Sequence, residues 1–573
     1  MVKELAGAFE RIADLLEISG SDAFRSNSYR RVSRILKNLT DDIVALREAN
    51  VIAEIPGIGK STAAKIEEYL DSGKIKVLED LKKKLPSGLP DLLRIPGLGP
   101  KKIALFYREL DVENFDDLEA AIEDGALAKL DGMGAKSVQK IADGIAFLKT
   151  SSGRTPFGLA LPVAEALANY LREFGTIEQL EIAGSLRRGC ETIGDIDLLC
   201  AHDDGEALIK HFVGHPSVKR VLASGATKGS ITIPVRDERE IQVDLRVVPA
   251  DSFGAALQYF TGSLDHNVHL RGLAQKQGLK LNEWGLFSGE ESVAGAEESS
   301  IYEKLGIVYV PPELREDRGE FDPDLKIDEL IAIGDLRGDL HMHTTASDGK
   351  NSIEEMANAA IDLGYEYIAI SDHSQSSVIA NGLPVDRMWE HIDAIRQADK
   401  SIDGIKIFAA CECDILPDAT LDYPDDVLAA CDLVVASVHF AMTRKKPSPT
   451  ERTIAAIENP YVTIIGHPTG RLIHKRPAMD MDIPTIIEAA VKHSTVLEVN
   501  SSWQRMDLKD VHVRMAVDAG VKIAIDTDAH STGDLSRMHY GVRTARRGFV
   551  RKQDVVNTLP LAELTKWLAS TRD

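Results

Sequence analysis

The chain has 573 residues, which at about 100–200 residues per domain means three or four domains. Apolar residues form 44% and charged residues 27%, a balance that excludes a largely disordered chain. The net charge of −23 excludes a basic nucleic-acid coat, although the first 110 residues carry 19 Lys and Arg against 16 Asp and Glu. An acidic protein can still hold DNA where backbone amides and cations meet the phosphates. No run approaches the ~20 apolar residues of a membrane helix, and MVKELAGAFE has no apolar signal core. Five cysteines (190, 200, 411, 413 and 431), odd in number and without zinc-ribbon pairing, suit reduced thiols. A cytoplasmic protein with no membrane partner is expected.

Residues 1–150 read as short amphipathic helices. Within them IPGIGKSTAAKI (55–66), IPGLGPKKIAL (95–105) and LDGMGAKSVQKI (130–141) repeat an apolar residue, a G-x-G turn and a helix start. The glycines Gly57, Gly59, Gly97, Gly99, Gly132 and Gly134 allow φ > 0 and leave backbone N–H groups at a helix N-terminus, where one phosphate can sit. One such turn means little, because many helix–helix connections use it; three in 90 residues point to a DNA-backbone grip. SSGRTPFG (151–158) reads as a boundary, and 159–174 as a helix. Strand-like runs follow: LEIAGS, DIDLLCA, SITIPV and IQVDLRVV. Residues 290–335 are acidic and read as irregular connection.

From Leu336 onward seven strand candidates alternate with helices: LRGDLH, YEYIAIS, IKIFAACE, LVVASVH, VTIIGH, TVLEVN and VKIAIDTD. Helical stretches at 352–363, 387–400 and 483–493 separate some of them. That pattern predicts a parallel α/β barrel or a close relative.

Two constellations carry chemistry. Strand alternation places Asp195 and Asp197 on one face and turns Ile196 and Leu198 into a core, while Asp244 follows on a second strand. Three converging carboxylates call for divalent cations with oxygen ligands, and two such ions make a phosphoryl-transfer site. Gly184 and Ser185 offer an amide and a hydroxyl beside them, and Arg187 and Arg188 charge for a polyphosphate. The second constellation lies in 336–573, which holds 11 of the 16 histidines. His341, His343, Asp348, His373, Glu412, His439, His467, Asp528 and His530 all fall at or after strand ends, the face where barrel sites form. Mixed nitrogen and oxygen ligands suit Mn²⁺, Zn²⁺ or Fe²⁺, and nine ligands suit up to three ions. Arg471 and Lys475 are candidates to hold a phosphate there, whereas His391, His474, His493, His512 and His539 read as structural, with His474 placed where it could approach the substrate.

G-S-x(9)-D-x-D resembles the nucleotidyltransferase signature of the β-polymerase superfamily, and YFTGSLDHNVHLR (259–271) resembles the nucleotide-binding stretch of family X DNA polymerases. The resemblance implies that Tyr259 and Phe260 wall the incoming sugar, Gly262 turns the backbone beneath it, Asn267 bonds the nucleotide's minor-groove edge and Arg271 faces the template. SNSYRRVSRIL (26–36) and the first hairpin resemble that family's small N-terminal domain. They align Lys65 with a lysine that in some members forms a Schiff base with a deoxyribose phosphate; a phosphate-contacting or solvated helix lysine is the alternative. HMHTTASDG, SDHS, CECD, SVH, GHP and DTDAH resemble the polymerase and histidinol phosphatase (PHP) domain over essentially all of 336–573.

Together these imply a multidomain fold. Its expected parts are a helical helix-hairpin-helix region (1–85, then 86–155 as fingers), an α+β nucleotidyltransferase palm (156–258), a thumb (259–320), a linker (321–335) and a distorted (βα)7 PHP barrel (336–573). The implied function is a bacterial or archaeal family X polymerase that fills gaps in base excision repair. It uses dNTPs and gapped or primed DNA, with two Mg²⁺ or Mn²⁺ at the palm, and acts as a monomer. The PHP barrel implies a Mn²⁺-dependent 3′–5′ exonuclease with abasic-site or 3′-phosphate activity. Two other readings compete. A DNA-bound PHP nuclease with a vestigial palm has no reason to keep all three aspartates. A small-molecule phosphoesterase has no use for three hairpins. Separate cores for palm and barrel are also expected.

Overall fold

The computed structural model describes residues 2–20, 23–37, 43–49, 51–55, 57–86, 88–93, 95, 98–151, 153–175, 177, 179–236 and 239–571. They form two compact units, 1–152 with 474–476, and 153–473 with 477–573.

The first unit is helical, and one apolar cluster runs through it from Leu5, Phe9 and Ile12 to Ile66, Phe106, Leu118 and Ile145. Two G-x-G turns start helices as expected: Gly59 caps α1 (Lys60–Ser72) and Gly99 caps α2 (Pro100–Leu110). The carbonyl of Gly134 accepts the first bonds of α3 (Ala135–Ser151). Gly97 lies outside the described residues. No side chain caps α1 or α2, and none of the three helices has an acidic residue in its first turn. The N-terminal amides of α1 and α2 are therefore open to an anion. Gly57 has φ +88°, and a β-carbon there would lie 2.6 Å from Ile35 Cδ1. That turn therefore needs glycine.

The second unit opens with a helix at Phe157–Arg172, followed by a five-stranded sheet of order β1-β2-β5-β4-β3. The strands are β1 (Gln179–Ile182), β2 (Asp195–Ala201), β3 (Arg220–Ser224), β4 (Lys228–Pro234) and β5 (Glu240–Val248). β2 and β5 are parallel, with Asp197 directly opposite Asp244. Helices α4 (Phe253–Thr261) and α5 (Leu264–Lys276) follow, then an antiparallel sheet of β6 (Lys280–Asn282), β7 (Gly285–Ser288) and β8 (Glu291–Ala294).

The acidic stretch 290–335 is not the irregular connection its composition suggests. It holds β8 and a helix at Glu298–Lys304, and buries Leu314, Arg315, Glu320 and Ile331. The acids are counterions: Glu298 pairs with Arg187 and Arg315, Glu316 with Arg188 and Arg547, and Glu320 bonds His266. Paired charges can be buried, so acidity does not mean solvent here.

All seven strand candidates of the C-terminal region form one parallel sheet in consecutive order. They are β9 (Gly338–Met342), β10 (Tyr367–Ile370), β11 (Lys406–Asp414), β12 (Leu433–Ser437), β13 (Ile464–Ile465), β14 (Val496–Asn500) and β15 (Ile523–Asp526). A parallel bridge between Met342 and Ala529, with His343 N–H donating to Ala529 O at 2.8 Å, nearly closes the barrel.

Palm and barrel each have a core of their own, but barrel side chains also reach into the palm and thumb clusters. Met506 and Tyr540 of the barrel region sit in the palm's apolar cluster with Phe157, and Phe549 sits in the thumb's. The Phe157 and Tyr540 rings meet edge to face at 5.6 Å. A β-carbon on Gly158 would lie 2.3 Å from the Trp503 ring. The reason is unburied apolar surface on both partners, which packs at lower free energy together than against water.

Candidate metal centres and nucleotide pocket

The palm centre follows from sheet register. Asp197 faces Asp244 across the β2–β5 ladder, and Asp195, two residues earlier on β2, shares their face. Asp195 is exposed, Asp197 half-buried and Asp244 buried. Burial, then the charges of Asp195 and Asp244, pushes the Asp197 carboxyl up to about 7. Asp244 goes the other way: burial opposes its charge, but Lys228, Gln242 and Ser230 outweigh it and lower its pKa. Lys228 Nζ stands 2.7 Å from Asp244 Oδ2, and Gln242 Nε2 donates to Oδ1 at 2.9 Å. Sequence reasoning missed Lys228, because only pairing of β4 with β5 brings it there.

Gly184 is fixed by this cluster. Its φ is +63°, and a β-carbon would stand 2.3 Å from Asp197 Oδ2. The backbone thus passes directly over the carboxylate, with Ala183 N–H donating to Asp197 O at 2.8 Å. Ser185 follows, half-buried, in a one-turn helix at Gly184–Arg187.

The sugar-wall candidates end α4. The Tyr259 and Phe260 rings meet edge to face at 5.2 Å. Arg246, on the same face of β5 as Asp244, lies 4.4 Å over the Phe260 ring, so wall and carboxylates adjoin. Gly262 has φ +67° and turns the chain into α5. Asn267 Oδ1 accepts from Gln258 at 2.7 Å and its Nδ2 donates to Tyr259 O at 2.8 Å. The Asn267 amide therefore braces the α4–α5 turn. Arg271 Nε donates to Asn267 O at 3.2 Å.

Two arginines expected at phosphates are placed otherwise. Arg187 forms a fork with Glu298 at 2.8 and 2.7 Å and reaches Thr261 Oγ1. A buried Glu298 needs that cation, and burial alone would keep it neutral. Arg471 pairs with Glu191 at 2.7 Å and donates to the carbonyls of Arg505 and Met506, which joins barrel to palm. Lys475 is exposed. Arg188 bonds Glu316 at 3.0 Å and the carbonyl of Thr261. On α1, Lys65 Nζ donates to Ser61 O and Oγ, both at 2.9 Å.

In the barrel all nine expected ligands converge. Three sets of ligand atoms lie within 4.8 Å of one another: His343, Asp348, His373 and His530; His341, His343 and Asp528; His373, Glu412 and His439. His467 joins them through Glu412, at 2.9 Å. Glu412 is central, with five imidazoles within 3.6 Å. His467 and Asp528 hold positive φ (28° and 54°), strain that the surrounding barrel must support.

Charges in the bowl respond to one another. Burial opposes protonation of His341, but Glu498, Glu412 and Asp528 raise it well above the usual range. The same balance lifts His439 to about 10 and His530 to about 9. Burial and neighbouring cations lower His343 to about 4 and His467 to about 3. Burial works against charge on Glu412, yet His439, His373 and His341 hold it well below the carboxylate range.

The donor set fits cations. His341 Nε2, His343 Nδ1, both Glu412 oxygens and both His467 nitrogens are buried without a hydrogen-bond partner. Buried polar atoms are rarely left so, and cations would give partners to the carboxylate oxygens and to one nitrogen of each ring. Partners that orient the ligands were not read from sequence: Glu498 accepts from His341 Nδ1 at 2.6 Å, Asp414 from His439 Nδ1 at 2.7 Å, and Asn500 reaches Asp528 at 3.1 Å. Strand alternation could have found Asp414, two residues beyond Glu412 on one face. His391 is structural as expected, bonded to Asp372 at 2.7 Å.

Similarity to known proteins agrees with this layout. The chain matches a helix-hairpin-helix domain over residues 2–75, a SAM-like helix-hairpin-helix tandem over 89–146, a DNA polymerase beta thumb over 256–316 and a PHP domain over 339–502. It is 39% identical over 568 residues to the DNA polymerase/3'-5' exonuclease PolX of Bacillus subtilis (strain 168), covering 99% of each chain. A probable phosphatase of Thermoanaerobacter sp. (strain X514) is 29% identical over 231 residues, 38% of this chain and 89% of that one. DNA polymerase lambda of Rattus norvegicus is 26% identical over 333 residues, 54% of this chain and 55% of that one. Matched from end to end at 39% identity, with hairpin, thumb and PHP regions in order, the chain belongs to the family X DNA polymerases that carry a C-terminal PHP domain.

Proposed function

We propose that this protein adds nucleotides to a DNA primer at the palm and removes them from a 3′ end at the PHP bowl. The observation that carries the reading is the presence, in one compact unit, of Asp197 registered against Asp244 and a nine-ligand bowl. Asp195, Asp197 and Asp244 would hold two Mg²⁺ or Mn²⁺, and the bowl up to three Mn²⁺, Zn²⁺ or Fe²⁺. When bound, these cations offset phosphate charge and favour deprotonation of the attacking oxygen. The chain's own residues do the rest. Gly184 lets the backbone approach the carboxylates. Tyr259 and Phe260 wall the sugar, and Arg188 holds the Gly262 turn. Open amides at the G-x-G turns grip the DNA backbone without reading bases. Short gaps in base excision repair, in a monomer in the cytoplasm, are the proposed setting. No helix among the described residues is long and apolar enough to cross a membrane. The relative named a probable phosphatase supports phosphate-ester cleavage at the bowl; a 3′-phosphate and abasic sites are proposed as its further substrates.

A labelled one-nucleotide gap in Mn²⁺ tests the reading. Extension with dNTPs and shortening without them is expected; an unchanged primer under both conditions removes it.

Gly184→Ala is expected to lower thermal stability by about 1–3 kcal/mol, because φ +63° strains any β-carbon. It is also expected to abolish nucleotide addition by displacing Asp197. Normal addition would show that Asp197 tolerates the move. Lys65 is the proposed Schiff-base amine. Borohydride trapping on incised abasic DNA is expected to cross-link the wild type and not Lys65→Ala; equal cross-linking by both ends that assignment.

A further inference from the structure

We infer that Arg547, a residue of the barrel, is a positioning residue for the palm's nucleotide pocket, an inference that rests on the polymerase reading above. It lies on α6 (Met538–Arg547), far along the chain from the aspartates, with its side chain only 10% exposed.

The argument is a chain of contacts. Arg547 Nη1 donates to the backbone carbonyl of Arg188 at 2.8 Å and to Glu316 Oε1 at 2.9 Å. That same Glu316 oxygen accepts from Arg188 Nε at 3.0 Å. Arg188 Nη1 donates in turn to the carbonyl of Thr261, and it would lie 3.1 Å from a β-carbon on Gly262. Thr261 and Gly262 directly follow the sugar wall, Tyr259 and Phe260. The far side of Arg547 is anchored: Nε and Nη2 sit 3.0 and 2.9 Å from Asp510 Oδ2. Arg318 reinforces the anchor through Asp510 and the Arg547 carbonyl. Arg547 thus fixes Arg188 twice, at its backbone and through the carboxylate that orients its guanidinium.

Gluing barrel to palm is a poorer account of Arg547. Phe157–Tyr540, Gly158–Trp503 and Glu191–Arg471 already do that. Glue would not need both groups that set Arg188. A planar fork is suited to bridging a carbonyl and two carboxylates, which an ammonium could not span. Pocket geometry matters because contacts made equally to the dNTP in the ground and transition states set KM rather than kcat.

Steady-state addition of one nucleotide to a gapped primer is the test. Arg547→Gln is expected to raise KM for the dNTP at least about fivefold with kcat within about twofold, the signature of lost substrate binding. Arg188→Gln should give a similar rise, and the double variant no more than either single change, because both break one link. Loss of folded protein alone would not move KM. If Arg547→Gln fails to fold by circular dichroism, the isosteric Glu316→Gln carries the same expectation. An unchanged KM, or effects that add in the double variant, overturns the inference. A wild-type protein that adds no nucleotide overturns the polymerase reading, and this inference with it.

Discussion

Asp244→Asn is expected to cut nucleotide addition by at least about 1,000-fold while leaving 3′ degradation within about threefold of wild type. The substitution keeps the side chain's shape and removes one of three clustered charges. Those charges are what would hold cations at the palm: Asp197 is pushed up to about 7 by burial and then by Asp195 and Asp244. Neutralising Asp244 lowers the Asp197 pKa, so the expected loss does not come from protonating Asp197. It comes from a weaker cation site beside the primer hydroxyl. Folding should survive, because Gln242 Nε2 can still donate to the remaining amide oxygen. Single-nucleotide addition in Mg²⁺ is the measurement. Synthesis above a few per cent of wild type would remove Asp244 from the site.

Glu412→Gln should lower 3′–5′ degradation at least about 100-fold and reduce the metal bound per chain. Its carboxylate lies within 3.6 Å of five imidazoles. Removing that charge leaves cations facing mostly neutral or protonated rings. His341→Ala and His343→Ala should fail similarly. Nucleotide addition is expected within about threefold, although a few barrel side chains pack into the palm and thumb clusters. The shared contacts run through Trp503, Met506, Tyr540 and Phe549, whereas Glu412 lies inside the bowl on β11. Degradation and metal content are measured together on single-stranded and gapped DNA in Mn²⁺. Full degradation in Glu412→Gln would place the nuclease elsewhere, and loss of addition as well would show that the centres are not independent.

Local patterns were legible in the sequence, because they need only the geometry of one element. Alternation on β2 put Asp195 and Asp197 on one face and buried Ile196 and Leu198. Alternating βα texture gave all seven barrel strands in order, and strand ends gave the nine residues that converge in the bowl. Repeated G-x-G turns gave the helix starts at Gly59 and Gly99. Tertiary structure alone decided which charge meets which. Arg187 and Arg471 looked like phosphate ligands because an arginine beside a motif has no visible partner; Glu298 and Glu191 take them in the fold. Residues 290–335 looked like irregular connection because they are acidic, but pairing with Arg187, Arg315 and His266 lets Glu298 and Glu320 sit in the interior. Asp197 against Asp244, Glu498 against His341 and Arg547 against Arg188 join distant segments. Backbone periodicity is a property of neighbours along the chain, while the partner of a buried charge is set by whatever surface packs over it.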